Sequence, residues 1–218
     1  MLTIEKINDA RRVLKEAIYP TDVIHTNNLT DRCKICLKAE NLQKTGSFKI
    51  RGAYYKIARL SPEEKQRGVI ACSAGNHAQG VALAAQKNGI PALICLPDGA
   101  PISKVEATRS YGAELCLVPG VYDDAYQRAL QLQKERQLTF IHPFDDEDVI
   151  AGQGTIGLEI LDQLDDVDAI VVPVGGGGLI SGIAFAVKQI NPNVKVSGGQ
   201  AAGAASMIGS VHDGEIAS

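Results

Sequence analysis

Short apolar runs alternate with helical segments along the middle of the chain, and this alternation limits the possible folds more than any other feature. An apolar run at 68–72 is followed by a small-residue segment at 76–88 and by a second apolar run at 92–96. Gly89 is typical of a helix end, because glycine adopts left-handed backbone angles at little cost. The unit repeats up to residue 141. This spacing predicts an α/β fold with parallel sheets and right-handed crossovers.

The other elements follow from periodicity and capping signals. Apolar residues at helical spacing predict a first helix at 3–18 that Pro20 ends, followed by a polar loop, and Ser61, Pro62 and Glu64 form the start signal of another helix. Further helices are predicted at 48–60, 102–111, 122–136, 154–164 and 179–190, and further strands at 34–39, 114–118, 138–141, 169–174 and 194–196. The unbroken apolar run at 169–174 is typical of a strand buried on both faces. Residues 199–218 have little to bury.

Composition excludes several classes of partner. A net charge of -3 over 218 residues provides no basic surface for nucleic acid, and no apolar stretch is long enough to cross a membrane. The charged N-terminal segment is unlike a signal peptide, so we expect a cytoplasmic protein. The five cysteines are an odd number and are expected to be reduced; Cys33 and Cys36 lack the second pair that a zinc site needs.

Lys49 lies among small residues at the start of a predicted helix, in the segment TGSFKIRG at 45–52. Burial beside the positive end of a helix lowers the pKa of a lysine and frees its amine to form a Schiff base. A lysine considered alone is more often an ordinary surface residue. Two loops further along the chain favour the first interpretation.

One of these loops contains four consecutive glycines, Gly175, Gly176, Gly177 and Gly178, between an apolar strand and a helix. Backbone without Cβ atoms can approach a ligand closely, and a helix N-terminus attracts anions, so the loop predicts a phosphate site. A tight turn alone would need fewer glycines. A Walker loop is excluded because no Lys-Ser or Lys-Thr follows, and the acidic residue of a dinucleotide-binding fingerprint is missing.

The other loop is the segment SAGNHAQG at 73–80, whose free N–H groups can hold a carboxylate. Asn76 either offers hydrogen-bond donors to a ring oxygen or caps its helix. For His77 three roles stay open, namely general base, donor to the backbone and packing residue, and we favour the donor. A Schiff-base lysine, a phosphate loop and an anion-binding loop together describe a pyridoxal phosphate site.

Three segments, SFKIRGA at 47–53, SAGNHAQG at 73–80 and PVGGGGL at 173–179, resemble the threonine dehydratase (threonine ammonia-lyase) family, most closely its biodegradative bacterial type. The resemblance extends from the first helix to about Gln200. It implies fold-type II, similar to the β-subunit of tryptophan synthase, with two domains whose twisted, mainly parallel sheets are flanked by helices. Residues 1–50 and 145–218 would form a large cofactor domain, left incomplete, and 51–144 a small α/β domain.

The resemblance also implies roles for the site residues. Lys49 would hold pyridoxal phosphate and then take the α-proton of the substrate, Phe48 would pack on the cofactor ring, and Asn76 would bind the ring hydroxyl. The phosphate would be bound by Gly175, Gly176, Gly177, Gly178 and Leu179, and the substrate carboxylate by Ser73, Asn76 and His77. The implied reaction converts L-threonine to 2-oxobutyrate and ammonia, and L-serine to pyruvate, in amino-acid catabolism or isoleucine biosynthesis. A homo-oligomer and an AMP effector are implied as well.

Departures from the family limit these expectations. Related serine racemases have an acid/base serine at the position of Ala74, so we expect elimination rather than racemisation. They also have carboxylates of a metal site where this chain has Gln200 and Ser206, so we expect no metal. Asn27 and Asn28 replace a Thr-Pro pair, a change that we expect to be tolerated. Family members extend well beyond residue 218, so we expect a truncated chain that binds the cofactor weakly or not at all.

Two other functions stay open. A catalytically inactive fragment would act only as a binding or self-associating module, because an incomplete sheet exposes an edge strand. A nucleotide-binding module is the least favoured, since its fingerprints are missing.

Overall fold

The structure is a computed structural model that describes residues 1–26 and 29–215, so Asn27 and Asn28 lie outside the described residues. The helices are α1 (Ile4–Leu14), α2 (Lys49–Ala58), α3 (Pro62–Arg67), α4 (Asn76–Asn88), α5 (Ile102–Ser110), α6 (Tyr122–Arg136), α7 (Glu147–Gln163), α8 (Gly178–Ile190) and α9 (Ser206–Asp213). The strands are β1 (Val23–Thr26), β2 (Ile35–Lys38), β3 (Val69–Cys72), β4 (Ala92–Pro97), β5 (Glu114–Val118), β6 (Thr139–Phe140), β7 (Ala169–Pro173) and β8 (Lys195–Gly199). Within the described ranges no helix is both long and apolar enough to cross a membrane.

Strands β3 to β6 form a parallel sheet in the order β5-β4-β3-β6, as the strand and helix alternation predicted. Every residue of β3 is buried. Val69 and Ala71 pack with α2 and α4, whereas Ile70 and Cys72 pack with α6 on the other face. The chain returns from β5 to pair β6 with β3, so the strand order reverses between β3 and β6. Ligands of open α/β sheets bind at the carboxyl ends of strands at such a point.

Strands β7 and β8 form a separate parallel pair. Ile170 and Val172 pack against α7 and α8, but Val171 between them is 75% exposed. The prediction that this strand is buried on both faces is therefore wrong in the described structure. Helices cover one face of β7, and the apolar run does not by itself reveal which faces are covered.

Helix α7 begins at Glu147 rather than at 154, because Asp146 caps it by accepting hydrogen bonds from the backbone N–H groups of Asp148 and Val149. Glycines conceal this part of the helix in the sequence. A Cβ on Gly152 would lie 2.6 Å from the Cα of Gly52 in α2, so the two helix backbones cross almost in contact. Strand β1 lies in the segment predicted as a polar loop, and α9 in the segment expected to bury little.

A buried charge network fixes α2 against α7. Arg51 is 0% exposed and donates two hydrogen bonds of 2.8 Å to Glu40 and two of 2.6 and 2.9 Å to Glu159. Lys38 of β2 also contacts Glu159, at 2.7 Å. Bidentate pairs of this kind are strong and geometrically specific. They hold in place the first turn of α2, which begins with Lys49.

Candidate functional site

The loop after β3, the turn after β6 and the start of α2 meet at the carboxyl ends of β3 and β6. Ser73 directly follows β3, and the turn His142-Pro143-Phe144 lies just beyond β6. Lys49, the first residue of α2, reaches this turn with its side chain. Helix α4 passes close behind it, because a Cβ on Gly80 would lie only 3.1 Å from the carbonyl carbon of Lys49. The site therefore lies where the strand order reverses.

The Lys49 amine is largely buried and donates a hydrogen bond of 2.7 Å to the carbonyl oxygen of Pro143. Burial lowers the pKa of Lys49 from 10.5 to about 8. A group with that pKa is about one-tenth neutral at neutral pH, whereas an ordinary lysine is almost entirely protonated. The Nζ atom is 5.4 Å from the ring centre of Phe48. Lys49 thus has a larger population of free amine than a surface lysine, as an imine-forming residue needs.

His77 is buried at the start of α4, with 4% of its surface exposed. Its Nε2 lies 2.9 Å from the carbonyl oxygen of Ile141, which can only accept, so Nε2 carries the proton. Burial lowers the pKa of His77 to about 3, with further contributions from the charges of Lys49 and His142. Among the described residues its Nδ1 has no hydrogen-bond partner. The neutral ring is the backbone donor that the sequence favoured, with one unused acceptor.

Asn76 and Ser73 lie in the loop after β3. The cap position of α4 is Gly75, with no side-chain capping bond, so the capping interpretation of Asn76 is wrong. The Oδ1 of Asn76 accepts a hydrogen bond of 3.1 Å from Lys104, which leaves its amide N–H groups as donors. Ser73 accepts a hydrogen bond of 3.1 Å from the backbone N–H of Gly75. Donors for an oxygen-bearing ligand are thus available in this loop.

The glycine loop lies against the same turn that binds Lys49. A Cβ on Gly176 would lie 2.4 Å from the Phe144 ring, and one on Gly178 would lie 2.6 Å from the Phe144 carbonyl oxygen. Phe48 and Leu179 pack on one apolar cluster, which brings the two segments together from another side. Sequence reasoning did not single out His142 or Phe144. The only signal was their position directly after a predicted strand.

The glycine loop also has open space. Among the described residues, none beyond its two chain neighbours has a heavy atom within 4 Å of a Cβ built on Gly175, and Gly177 has a φ of +88°, which favours glycine. Helix α8 begins at Gly178 and directs its first N–H groups toward this loop. A phosphate group fits such a helix N-terminus.

Comparison with known proteins agrees with this geometry. Residues 14–218 match the family described as pyridoxal-phosphate dependent enzyme. The chain belongs to this family. Membership implies pyridoxal phosphate as the cofactor, and the observed features fit that group. They are an amine of lowered pKa on Lys49, open space at Gly175 beside a helix N-terminus, and a buried acceptor on His77 that no described residue uses.

Curated relatives from the family are similar over nearly the whole chain. The L-threonine ammonia-lyase of Thermotoga maritima is 56% identical over 98% of this chain and 54% of the relative. The catabolic L-threonine dehydratase TdcB of Escherichia coli is 49% identical over 99% of this chain and 66% of the relative. The chain therefore spans between about half and two thirds of the length of these family members.

A solved structure from the same family supports the fold class. Maize serine racemase superposes with a TM-score of 0.96 at 38% identity, covering 99% of this chain and 66% of that one. The predicted α/β architecture of fold-type II is confirmed. The roles of individual site residues and the two-domain division at 50 and 145 stay predictions.

Proposed function

We propose that the protein deaminates L-threonine to 2-oxobutyrate and ammonia, and L-serine to pyruvate. One observation carries the proposal, the buried Lys49 amine held by Pro143 on a turn that also contacts the glycine loop. The relatives at 56% and 49% identity, an L-threonine ammonia-lyase and an L-threonine dehydratase, support threonine as the substrate.

Each site residue has a part in this proposal. The N–H groups of Gly175, Gly176, Gly177, Gly178 and Leu179 bind the cofactor phosphate, and the ring of Phe48 packs on the cofactor. Asn76 directs its amide N–H groups to the ring hydroxyl because its oxygen is held by Lys104. The loop of Ser73, Asn76 and His77 binds the substrate carboxylate. Residues 1–50 and 145–218 would form the large domain and 51–144 the small one, in keeping with the separate sheets of β7–β8 and β3–β6.

Pyridoxal phosphate, when bound, withdraws electrons from the α-carbon and so stabilises the charge left by proton removal. The Lys49 amine would hold the cofactor and, once free, would take the α-proton of the substrate at Nζ. The Pro143 carbonyl keeps this amine oriented through one N–H bond and leaves its lone pair available. Loss of the proton and the β-hydroxyl as water yields an enamine, and hydrolysis of the enamine gives the 2-oxo acid and ammonia. Ala74 has no hydroxyl for the opposite face of the substrate, which favours elimination over racemisation.

We propose a cytoplasmic homo-oligomer without a divalent metal, in which AMP acts as an effector and which serves threonine catabolism rather than isoleucine biosynthesis. The 75% exposed Val171 supports association, and the similarity to the catabolic L-threonine dehydratase of Escherichia coli supports a catabolic role. Gln200 supports the lack of a metal, since its oxygen accepts a hydrogen bond from the backbone of Ile208. The AMP effector rests on the resemblance alone.

The test is to incubate the chain with pyridoxal phosphate, reduce with borohydride and locate the modified lysine by mass spectrometry. Reduction traps even weakly bound cofactor. We expect modification at Lys49, loss of it in Lys49→Ala, and retention in Lys44→Ala, whose amine bonds to Ala17 away from the site. Equal labelling of many lysines, unchanged by Lys49→Ala, would contradict the proposal.

The uncovered face of β7 favours one alternative, a binding or self-associating module without activity. The chain is therefore also assayed for 2-oxobutyrate formation from L-threonine. Specific labelling of Lys49 without turnover would support the alternative for this chain, and turnover would exclude it.

A further inference from the structure

The turn His142-Pro143-Phe144 connects the two halves of the site. Pro143 accepts the Lys49 hydrogen bond of 2.7 Å through its carbonyl oxygen. Phe144, the next residue, occupies the space in front of Gly176 and Gly178. A shift of this short turn would move both the acceptor of Lys49 and the wall of the glycine loop.

The His142 side chain shapes this turn from within. Its Nδ1 accepts hydrogen bonds from the backbone N–H groups of Asp145, at 2.7 Å, and Phe144, at 3.3 Å. The imidazole also packs edge-on against the Phe144 ring, with ring centres 4.7 Å apart and an angle of 85°. Asx-turns have the same geometry, in which an Asn or Asp oxygen binds backbone N–H groups further along the chain. Histidine here takes the place of the usual Asx residue.

The proton arrangement on His142 follows from its donors. Backbone N–H groups can only donate, so Nδ1 must keep its lone pair and a neutral ring carries its proton on Nε2. Burial, the largest cause, lowers the pKa of His142, and the nearby Lys49 acts in the same direction, whereas Asp145 and Asp146 oppose it. His77 is close enough that its own pKa is lowered by His142. Burial and the charge of Lys49 thus favour the neutral form that the turn requires.

We propose that His142 is a positioning residue of the cofactor site, whose Nδ1 fixes the Pro143 carbonyl for Lys49 and Phe144 for the glycine loop. The inference rests on the proposed role of Lys49. The two hydrogen bonds that His142 accepts are independent of that role, because both join it to backbone N–H groups of the turn.

A matched pair of variants distinguishes the contribution of the Nδ1 acceptor from that of the rest of the imidazole ring. In His142→Asn the Oδ1 atom replaces Nδ1 at the same distance along the side chain and can accept the same two N–H groups. His142→Leu has the shape of asparagine without any acceptor. If His142→Leu fails to fold, the pair His142→Ser and His142→Ala repeats the comparison with a smaller acceptor.

The first measurement is amide hydrogen exchange at Phe144 and Asp145 without cofactor. We expect protection close to wild type in His142→Asn and exchange faster by about tenfold in His142→Leu, the effect of losing a hydrogen bond of ordinary strength. The second is the titration of Lys49, followed by NMR of ¹³C-labelled lysine and assigned with Lys49→Ala. The Lys49 pKa should stay near 8 in His142→Asn. In His142→Leu it should rise by about one unit as water enters beside the amine.

Two results would overturn the inference. One is an unchanged Lys49 titration in His142→Leu. The other is equal behaviour of His142→Asn and His142→Leu in folded protein, which would give the role to the imidazole itself. Both measurements are made without pyridoxal phosphate, so a failure of cofactor attachment to Lys49 would be seen only in the borohydride experiment and would not affect this test.

Discussion

Strands β3 and β7 have similar apolar sequences but opposite surroundings. Val69 of β3 is 0% exposed, whereas Val171 of β7 is 75% exposed. Strand β3 has helices on both faces of its sheet, and β7 is covered by α7 and α8 on one face. The two loops of the site extend from these different supports, Ser73 from the first and Gly175 from the second. An apolar run therefore predicts a strand, but whether one or both faces of that strand are buried depends on elements far away in the sequence.

The largest effect is expected where the two regions are joined, at Arg51. Replacing it in Arg51→Met removes the guanidinium that pairs with the carboxylates of Glu40 and Glu159, which should lower the free energy of unfolding by about 3–5 kcal/mol. Urea unfolding followed by circular dichroism and by tyrosine fluorescence measures this loss. The control Arg11→Met removes a half-exposed ion pair with Asp162 and should cost less than about 1 kcal/mol. Two separate transitions in the wild type would show that the regions unfold independently, contrary to the connection inferred here.

Substitutions in the glycine loop test its contact with Phe144, which joins the two regions. In Gly178→Ala the new Cβ would meet the Phe144 carbonyl oxygen at 2.6 Å, and we expect a loss of stability of about 1–3 kcal/mol together with weaker labelling of Lys49 by the cofactor. Gly175→Ala is the control, because in the described part of the chain only its direct neighbours lie within 4 Å of the new Cβ. It should change stability by less than about 0.5 kcal/mol. Similar losses in both variants would mean that Phe144 does not confine this loop.

His77 lies in α4, which covers β3, and its burial predicts that the stability of the protein depends on pH. Its folded-state pKa of about 3 lies below the usual value of 6.5, so the unfolded state binds the additional proton. The stability contribution is complete above the unfolded pKa and is lost as pH falls toward the folded one. Between about pH 8 and about pH 5 this loss should be about 2 kcal/mol relative to His77→Gln, which keeps a donor for Ile141 but does not titrate. Parallel pH profiles of wild type and variant in urea unfolding would disprove it.

The smallest effects are expected when valine is replaced by alanine in each of the two sheets. Val69→Ala removes packed methyl groups and should lower the free energy of unfolding by about 1–2 kcal/mol. Val171→Ala removes the same atoms from an exposed face and should cost less than about 0.5 kcal/mol. Urea midpoints of the two variants measure the contrast. Equal costs would indicate that the exposed face of β7 is covered in solution, for example by another copy of the chain.

Local signals explain which elements could be predicted. Strand β5 and helix α6 have the bounds expected from the sequence, and Gly89 ends α4 with a φ of 66° in the left-handed region. Strand spacing, helical periodicity and caps depend on neighbouring residues, so they can be read along the chain. The three motifs of the site were also found in this way. Their meeting point was not, because it requires the reversal of strand order between β3 and β6.

The α/β alternation, the reactive lysine candidate and the glycine loop could be predicted from the sequence, since each depends on residues close together in the chain. Only the tertiary structure decided the early start of α7, the open face of β7 and the turn at His142. Gly152 is needed because Gly52 lies against it, which the sequence does not show. Val171 is exposed because α7 and α8 cover the opposite face of β7. The lowered pKa of Lys49 has the same origin, because desolvation is caused by contacts between residues far apart in sequence.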